Sequence, residues 1–173
     1  MVSTTSVSSF LPPTFLNVTA LTAHKGVSVL ECWQILPGFT TSSQTGTAGA
    51  SILQLGNLAN ASYSVIPPGF NAGFHTAPTI QWVVFISGLA HITLANSSVQ
   101  AFVPGGKNGV IFAADTADVS LKGHSTNYPS KEETRAIQIP TGGIIPPHKV
   151  LYSSPCKSAQ LQGRYMEGLD DLD

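Results

Sequence analysis

Ile80-Gln81-Trp82-Val83-Val84-Phe85-Ile86 is a strand-length run with apolar side chains on both faces, broken only by Gln81. A strand buried on both sides belongs in the middle of a sandwich or barrel. An amide in such a strand must find hydrogen bonds or face a cavity, because an unpaired buried polar group costs about 1–3 kcal/mol. Gln81 is therefore the first candidate functional residue.

Outward from this strand, similar runs follow at short intervals. They are Val27–Leu36, Ala50–Leu55, Ser62–Ile66, Leu89–Leu94, Val99–Val103, Val110–Ala114 and Arg135–Ile139. Sixteen Gly and twelve Pro punctuate them. Short β-prone runs at this spacing predict an all-β sandwich or barrel. No stretch holds a 3.6-residue period over ten residues, although Lys157–Glu167 is expected to form a short helix. Thr40–Thr47 reads as a loop. With 173 residues, no internal repeat and no dividing linker, one domain over 1–173 is expected. Its motif-bearing core spans about 50–140, between an N-terminal arm (1–49) and a C-terminal tail (141–173).

Composition excludes several classes of function. Charged residues are 10% of the chain and the net charge is −1. Such a chain has little electrostatic reach for phosphate backbones or anionic lipid, so neither nucleic acid nor membrane is an expected partner. A coiled coil needs Glu, Lys and Arg in bulk, and global disorder needs low hydrophobicity. Cys32 and Cys156 are too few for a disulfide framework and read as two free thiols, although pairing stays open. Met1–Ala20 shows neither the positive start nor the apolar run of a secretory signal. A cytoplasmic location is expected.

The turn before the central strand reads Pro67-Pro68-Gly69-Phe70, then His75-Thr76-Ala77-Pro78. Ser87-Gly88 closes the strand, and Phe102-Val103-Pro104-Gly105, Asp115 and Lys122-Gly123-His124 follow. This set resembles the cupin superfamily, and a subgroup of small single-domain cupins most closely. With Gln81 on the position of the family's Glu, six residues separate it from Gly88, and His75 falls on the first motif His. The likeness covers Tyr63 to Pro140. It implies a double-stranded β-helix, a jelly-roll barrel with a ligand pocket inside. Cupins also commonly form homodimers, and Val27–Leu36 is expected to pair with an edge strand of a second subunit.

The departures from the family shape the expected chemistry. Ala77 stands where the second His would be, and Gln81 where the Glu would be. The metal-ligand set implied by the resemblance is thus His75, Gln81 and His124, two imidazoles and a neutral amide. That is a poor set for iron, manganese, nickel or zinc. Without metal the same residues suit proton transfer, with His75 and His124 as acid or base and Gln81 holding a carbonyl or enolate oxygen. Asp115 and Lys122 are expected to tune or relay the proton. Phe74, Tyr63, Phe85 and His91 are candidate pocket walls. His24 and His148 read as surface, and Trp33 and Trp82 as core.

The expected function is small-molecule tailoring by acid–base chemistry, as an isomerase, cyclase, dehydratase or related lyase in specialised-metabolite biosynthesis. The expected substrate is a small, apolar, oxygenated organic molecule, and no cofactor is required. A metal-dependent dioxygenase and a non-catalytic ligand-binding cupin are the alternatives.

Overall fold

In the computed structural model, residues 14–43, 48–56 and 60–161 are described below. The strands are β1 (Asn17–His24), β2 (Val27–Ile35), β3 (Thr40–Thr41), β4 (Ser51–Ile52), β5 (Ser62–Ile66) and β6 (Asn71–His75). They continue as β7 (Gln81–Ser87), β8 (Leu89–Leu94), β9 (Ser97–Pro104) and β10 (Val110–Ala113). The last are β11 (His124–Asn127), β12 (Thr134–Pro140) and β13 (His148–Tyr152), followed by one helical turn, α1 (Ser158–Leu161). The rest of the helix expected over Lys157–Glu167 lies outside the described residues, as does the second half (44–47) of the expected Thr40–Thr47 loop. Its first two residues, Thr40–Thr41, are strand rather than loop: they form β3, paired with β4 further along the chain.

The architecture is all-β, as the spacing of apolar runs predicts, and it is compatible with a jelly roll. A seven-stranded sheet runs in the order β13-β2-β1-β10-β7-β12-β5, and a four-stranded sheet in the order β6-β11-β8-β9. Side chains of both sheets share one core. Leu21, Leu30, Val83, Phe85 and Ile111 from the larger sheet meet Ala90, Ile92, Leu94 and Val103 from the smaller. The period-2 alternation of a strand sends the intervening residues to the back of the larger sheet. There Trp82, Trp33 and Phe112 form a second core with Val18 and Ala20. The Trp82 and Phe112 rings meet edge-on, with centroids 4.8 Å apart.

This second core explains the central strand. Gln81, Val83 and Phe85 face the space between the sheets, while Trp82 is buried on the back, where Leu53, Leu55 and Ile139 lie over the same cluster. The two-faced burial expected for the whole run ends before Ile86, which is 44% exposed. Gly88, at φ +78°, turns β7 into β8, and a Cβ there would lie 2.1 Å from Thr134 Oγ1. Only glycine fits that bend.

Two expectations are corrected by the fold. First, β2 is flanked within the chain by β1 on one side and β13 on the other. β1 occupies one edge along Val27–Gln34 and β13 occupies the other over Cys32–Ile35, so the length of β2 open to a second subunit is at most its first half. Second, Cys32 and Cys156 are joined as a disulfide across 124 residues of sequence. The bond ties the segment after β13 to the inner face of β2. Beside it the Cys156 N–H donates to Thr19 Oγ1 at 3.1 Å, and Asn17 Nδ2 donates to the Gln160 carbonyl at 2.9 Å.

Candidate functional site

Between the two sheets lies a cavity of about 380 Å³. His75 and His124 sit on its four-stranded side, and Gln81, Val83 and Phe85 on its seven-stranded side. The two imidazoles meet because β6 and β11 are antiparallel neighbours with His75 directly opposite His124. Opposed residues in such a pair have Cβ atoms roughly 4.5–5.5 Å apart. Here the ring centroids are 4.5 Å apart and the planes are inclined by 55°. His75 is exposed at the mouth, whereas His124 is buried.

Gly123 makes this approach possible. Its φ is +66°, and a Cβ at that position would lie 2.0 Å from the His75 carbonyl oxygen. The Gly of Lys122-Gly123-His124 therefore lets β11 begin hard against the backbone of β6.

Each imidazole is held by its Nδ1. His75 Nδ1 lies 3.0 Å from the Gly73 carbonyl oxygen, which can only accept, so the ring donates. His124 Nδ1 donates to Asp115 Oδ2 at 2.8 Å. In both rings Nε2 has no partner among the described residues and is open to a ligand. Asp115 is wholly buried behind His124 and does not line the cavity. Its role is thus positional: it fixes the tautomer and rotation of His124 and does not itself reach a ligand.

The carboxylate is the end of a buried hydrogen-bond chain. Ser28 Oγ donates to Asp115 Oδ2 at 2.7 Å. That uses the only Ser28 hydroxyl proton, so in the 2.6 Å contact between Ser28 and Ser120 the donor is Ser120. Ser120 Oγ in turn accepts from the Gly123 N–H at 3.0 Å. The chain Gly123, Ser120, Ser28 thus donates in one direction toward Asp115, each bond polarising the next, and His124 donates to the same carboxylate oxygen from the other side. It links β2, the loop before β11 and the site. A serine in a strand or a loop is too common to mark such a role, and no spacing in the sequence pointed to Ser28 or Ser120.

Four candidates lie elsewhere. Lys122 borders a small separate depression with Leu121 and Asn96, so its ammonium is not part of the His75–His124 site. Phe74 is 58% exposed and Tyr63 55% exposed, and neither lines the cavity. Each is one residue out of phase with the inward positions, His75 on β6 and Ser62 and Ser64 on β5. His91 stacks on Phe102 with centroids 4.2 Å apart and bonds to Gln100 Oε1 at 2.7 Å, on the outer face of the smaller sheet. It is a strand histidine with its partners satisfied. Of the proposed walls, Phe85 lines the cavity.

Further residues complete the lining. Ser62, Ser64 and Gln138 form a polar patch on the larger sheet, and Thr126 and Tyr128 extend the wall beyond His124. Burial pushes the Tyr128 hydroxyl above its ordinary value. Outside the site, His148 stacks on Trp33 at 3.6 Å, so it packs on the back core. His24 is mostly exposed, with its ring on the buried Glu31 carboxylate at 2.6 Å.

Among the described residues, no group of three or more His, Cys, Asp and Glu side chains converges. Asp115 is committed to Nδ1 of His124, on the far side of the ring, so the donors available to a metal are His75, His124 and the Gln81 amide oxygen. No model of a known protein family matches the chain, and no curated protein matches it.

Proposed function

We propose that the protein is a cupin-type tailoring enzyme that uses the His75–His124 pair for acid–base chemistry on a small carbonyl- or hydroxyl-bearing molecule. The observation that carries this reading is the pair itself: two imidazoles in register, open to one cavity through Nε2, with one oriented by a buried carboxylate. A carboxylate on Nδ1 holds Nε2 as the proton-accepting nitrogen and stabilises the imidazolium that forms. Gln81, across the cavity, is placed to donate to an oxygen on which negative charge develops. The chemistry this supports is proton abstraction and return, as in an isomerase, cyclase, dehydratase or related lyase. The cupin reading rests on the motif resemblance, to which the two-sheet all-β fold adds support.

A second reading, a metal-dependent oxygenase, has its own support. Metal-ligating histidines usually donate the other ring nitrogen to a carboxylate or a carbonyl, as His124 and His75 do. The donor set fits a divalent metal weakly, because its third member is a neutral amide. In that reading His75 and His124 would hold the ion through Nε2 and Gln81 through its amide oxygen, and the ion would supply Lewis-acid or redox chemistry.

The variants His75→Ala, His124→Ala and Gln81→Glu separate these readings. For proton transfer, either His→Ala should lower kcat by ~10²–10⁴-fold. Gln81→Glu should lower turnover as well, by placing negative charge where an enolate forms. If turnover and bound metal rise together in Gln81→Glu, the metal-free mechanism is wrong. Full activity of both alanine variants would leave a binding protein and no catalyst.

The disulfide bears on location. Among the described residues no helix is long and apolar enough to cross a membrane. A bridge between Cys32 and Cys156 persists in an oxidising compartment and is rare in a reducing cytoplasm. We therefore favour an oxidising compartment over the cytoplasmic expectation. Thiol labelling of the protein unfolded without reductant should find both cysteines blocked; two reactive thiols would restore the cytoplasmic reading.

A further inference from the structure

On the wall facing the histidines, a second amide is held with its donors unspent. Gln138 lies on β12, paired in register with Ser62 of β5 and Val83 of β7. Its Oε1 accepts from Ser62 Oγ at 3.1 Å and from Ser64 Oγ at 2.9 Å. Two hydroxyls on one oxygen fix the rotation of the amide. Nε2, with two N–H donors, has no protein acceptor among the described residues. All three side chains line the cavity that holds His75 and His124. Gln81 lies diagonal to Gln138 on the neighbouring strand, so the two amides share one patch of sheet.

The cavity also selects by charge. Among the described residues, no Lys, Arg, Asp or Glu lines it. A phosphate or polycarboxylate would enter without a fixed cation to replace its water, and an amine without a fixed anion. A carbonyl oxygen, by contrast, accepts from an amide N–H with no charge to desolvate. The opposite wall offers imidazole Nε2 atoms, which suit a hydroxyl or an acidic hydrogen. A volume of about 380 Å³ lies at the small end for organic ligands.

We propose that Gln138 is the donor that binds a substrate carbonyl in this site, and that the substrate is a neutral hydroxy-carbonyl compound spanning from Gln138 to the histidine pair. This rests on the reading of His75 and His124 as the reacting end of the cavity. Gln138 then sets specificity: it distinguishes a ketone from an analogue of the same shape without the carbonyl.

The test uses the full chain, ¹⁵N-labelled, titrated with para-hydroxyacetophenone and, separately, with para-ethylphenol, which keeps the hydroxyl and lacks the carbonyl. In the wild type the ketone should bind about 3- to 10-fold more tightly, the discrimination expected from one net neutral hydrogen bond. The Gln138 side-chain NH₂ signals should shift with the ketone and not with the phenol. In Gln138→Leu the preference should vanish. Gln138→Glu, which still accepts from both serines but has no N–H, should lose it too. The wild-type amide signals carry the test even if a variant folds poorly. If the ketone binds and shifts the His75 and His124 ring signals while both variants keep the preference, the role of Gln138 is overturned and the reading of the histidines stands. If the preference depends on Gln138 but neither imidazole responds, the donor role stands and the histidine reading falls. Failure of the ketone to bind at millimolar concentration overturns both.

Discussion

Replacing Ser28 by alanine tests the buried chain behind His124. Asp115 is wholly buried, and its Oδ2 takes two donors, Ser28 and His124. Its Oδ1 has no partner among the described residues. The carboxylate therefore has no spare donor to fall back on when one is removed. A hydrogen bond to a charged group contributes about 1.5–3 kcal/mol, and Ser120 also loses its acceptor. The loss of a hydroxyl leaves little room for water, so neither partner regains a bond from solvent. The expected cost is about 2–3 kcal/mol, a large share of the ~5–15 kcal/mol that holds a typical domain folded. For a chain of this length that is a fall in Tm of roughly 4–12 °C. Thermal and urea unfolding of Ser28→Ala should be compared with Ser97→Ala, whose hydroxyl accepts from Val99 N–H at the surface. The surface variant should stay within about 0.5 kcal/mol of the wild type. Asp115→Asn removes the buried charge, so Ser28→Ala should cost at least about 1 kcal/mol less in that background. If Ser28→Ala melts with the surface variant, or the two costs simply add, the directed chain is not what stabilises Asp115.

Two further outcomes are expected. Gly123→Ala should lose about 3 kcal/mol or more, since φ +66° penalises any Cβ and the nearest atom, His75 O at 2.0 Å, belongs to backbone that cannot yield; stability near that of the wild type in a denaturant titration would refute the close approach of β11 to β6. Burial holds the Tyr128 hydroxyl above its ordinary value of 10.0, so the unfolded chain loses this proton first. Stability is then intact below pH 10 and falls as pH rises through the higher, folded value, by at most about 1.4 kcal/mol per pH unit. Tyr128→Phe should flatten that part of the alkaline unfolding profile, and an unchanged slope would show that the hydroxyl ionises freely.

Much of the frame was legible in the sequence because its strands are marked by apolar side chains. Ser62–Ile66 and Leu89–Leu94 form strands with the expected bounds, and the central strand starts one residue later than read. Apolar alternation survives translation into structure since burial of one face is the largest local driving force. The missed strands lack that mark. Asn71–His75 and His124–Asn127 are short and polar, and β1 carries Asn17 and Thr19 on its inner face. They are strands because of what they pair with, and pairing partners are remote in sequence.

The same division holds for the site. The sequence by itself singled out Gln81 as an amide in an apolar strand, and His75 and His124 through the resemblance of their motifs to the cupin pattern. Only the tertiary structure decided that His75 lies opposite His124, that Asp115 stands behind the ring and not in the cavity, and that Lys122, Phe74, Tyr63 and His91 point elsewhere. Those outcomes depend on strand phase: a shift of one residue sends a side chain to the opposite face. The Cys32–Cys156 bridge, the Ser28–Ser120 link and the Gln138 patch have the same origin. Each joins residues 74 to 124 positions apart, and the sheet register that brings them together is a property of the whole fold.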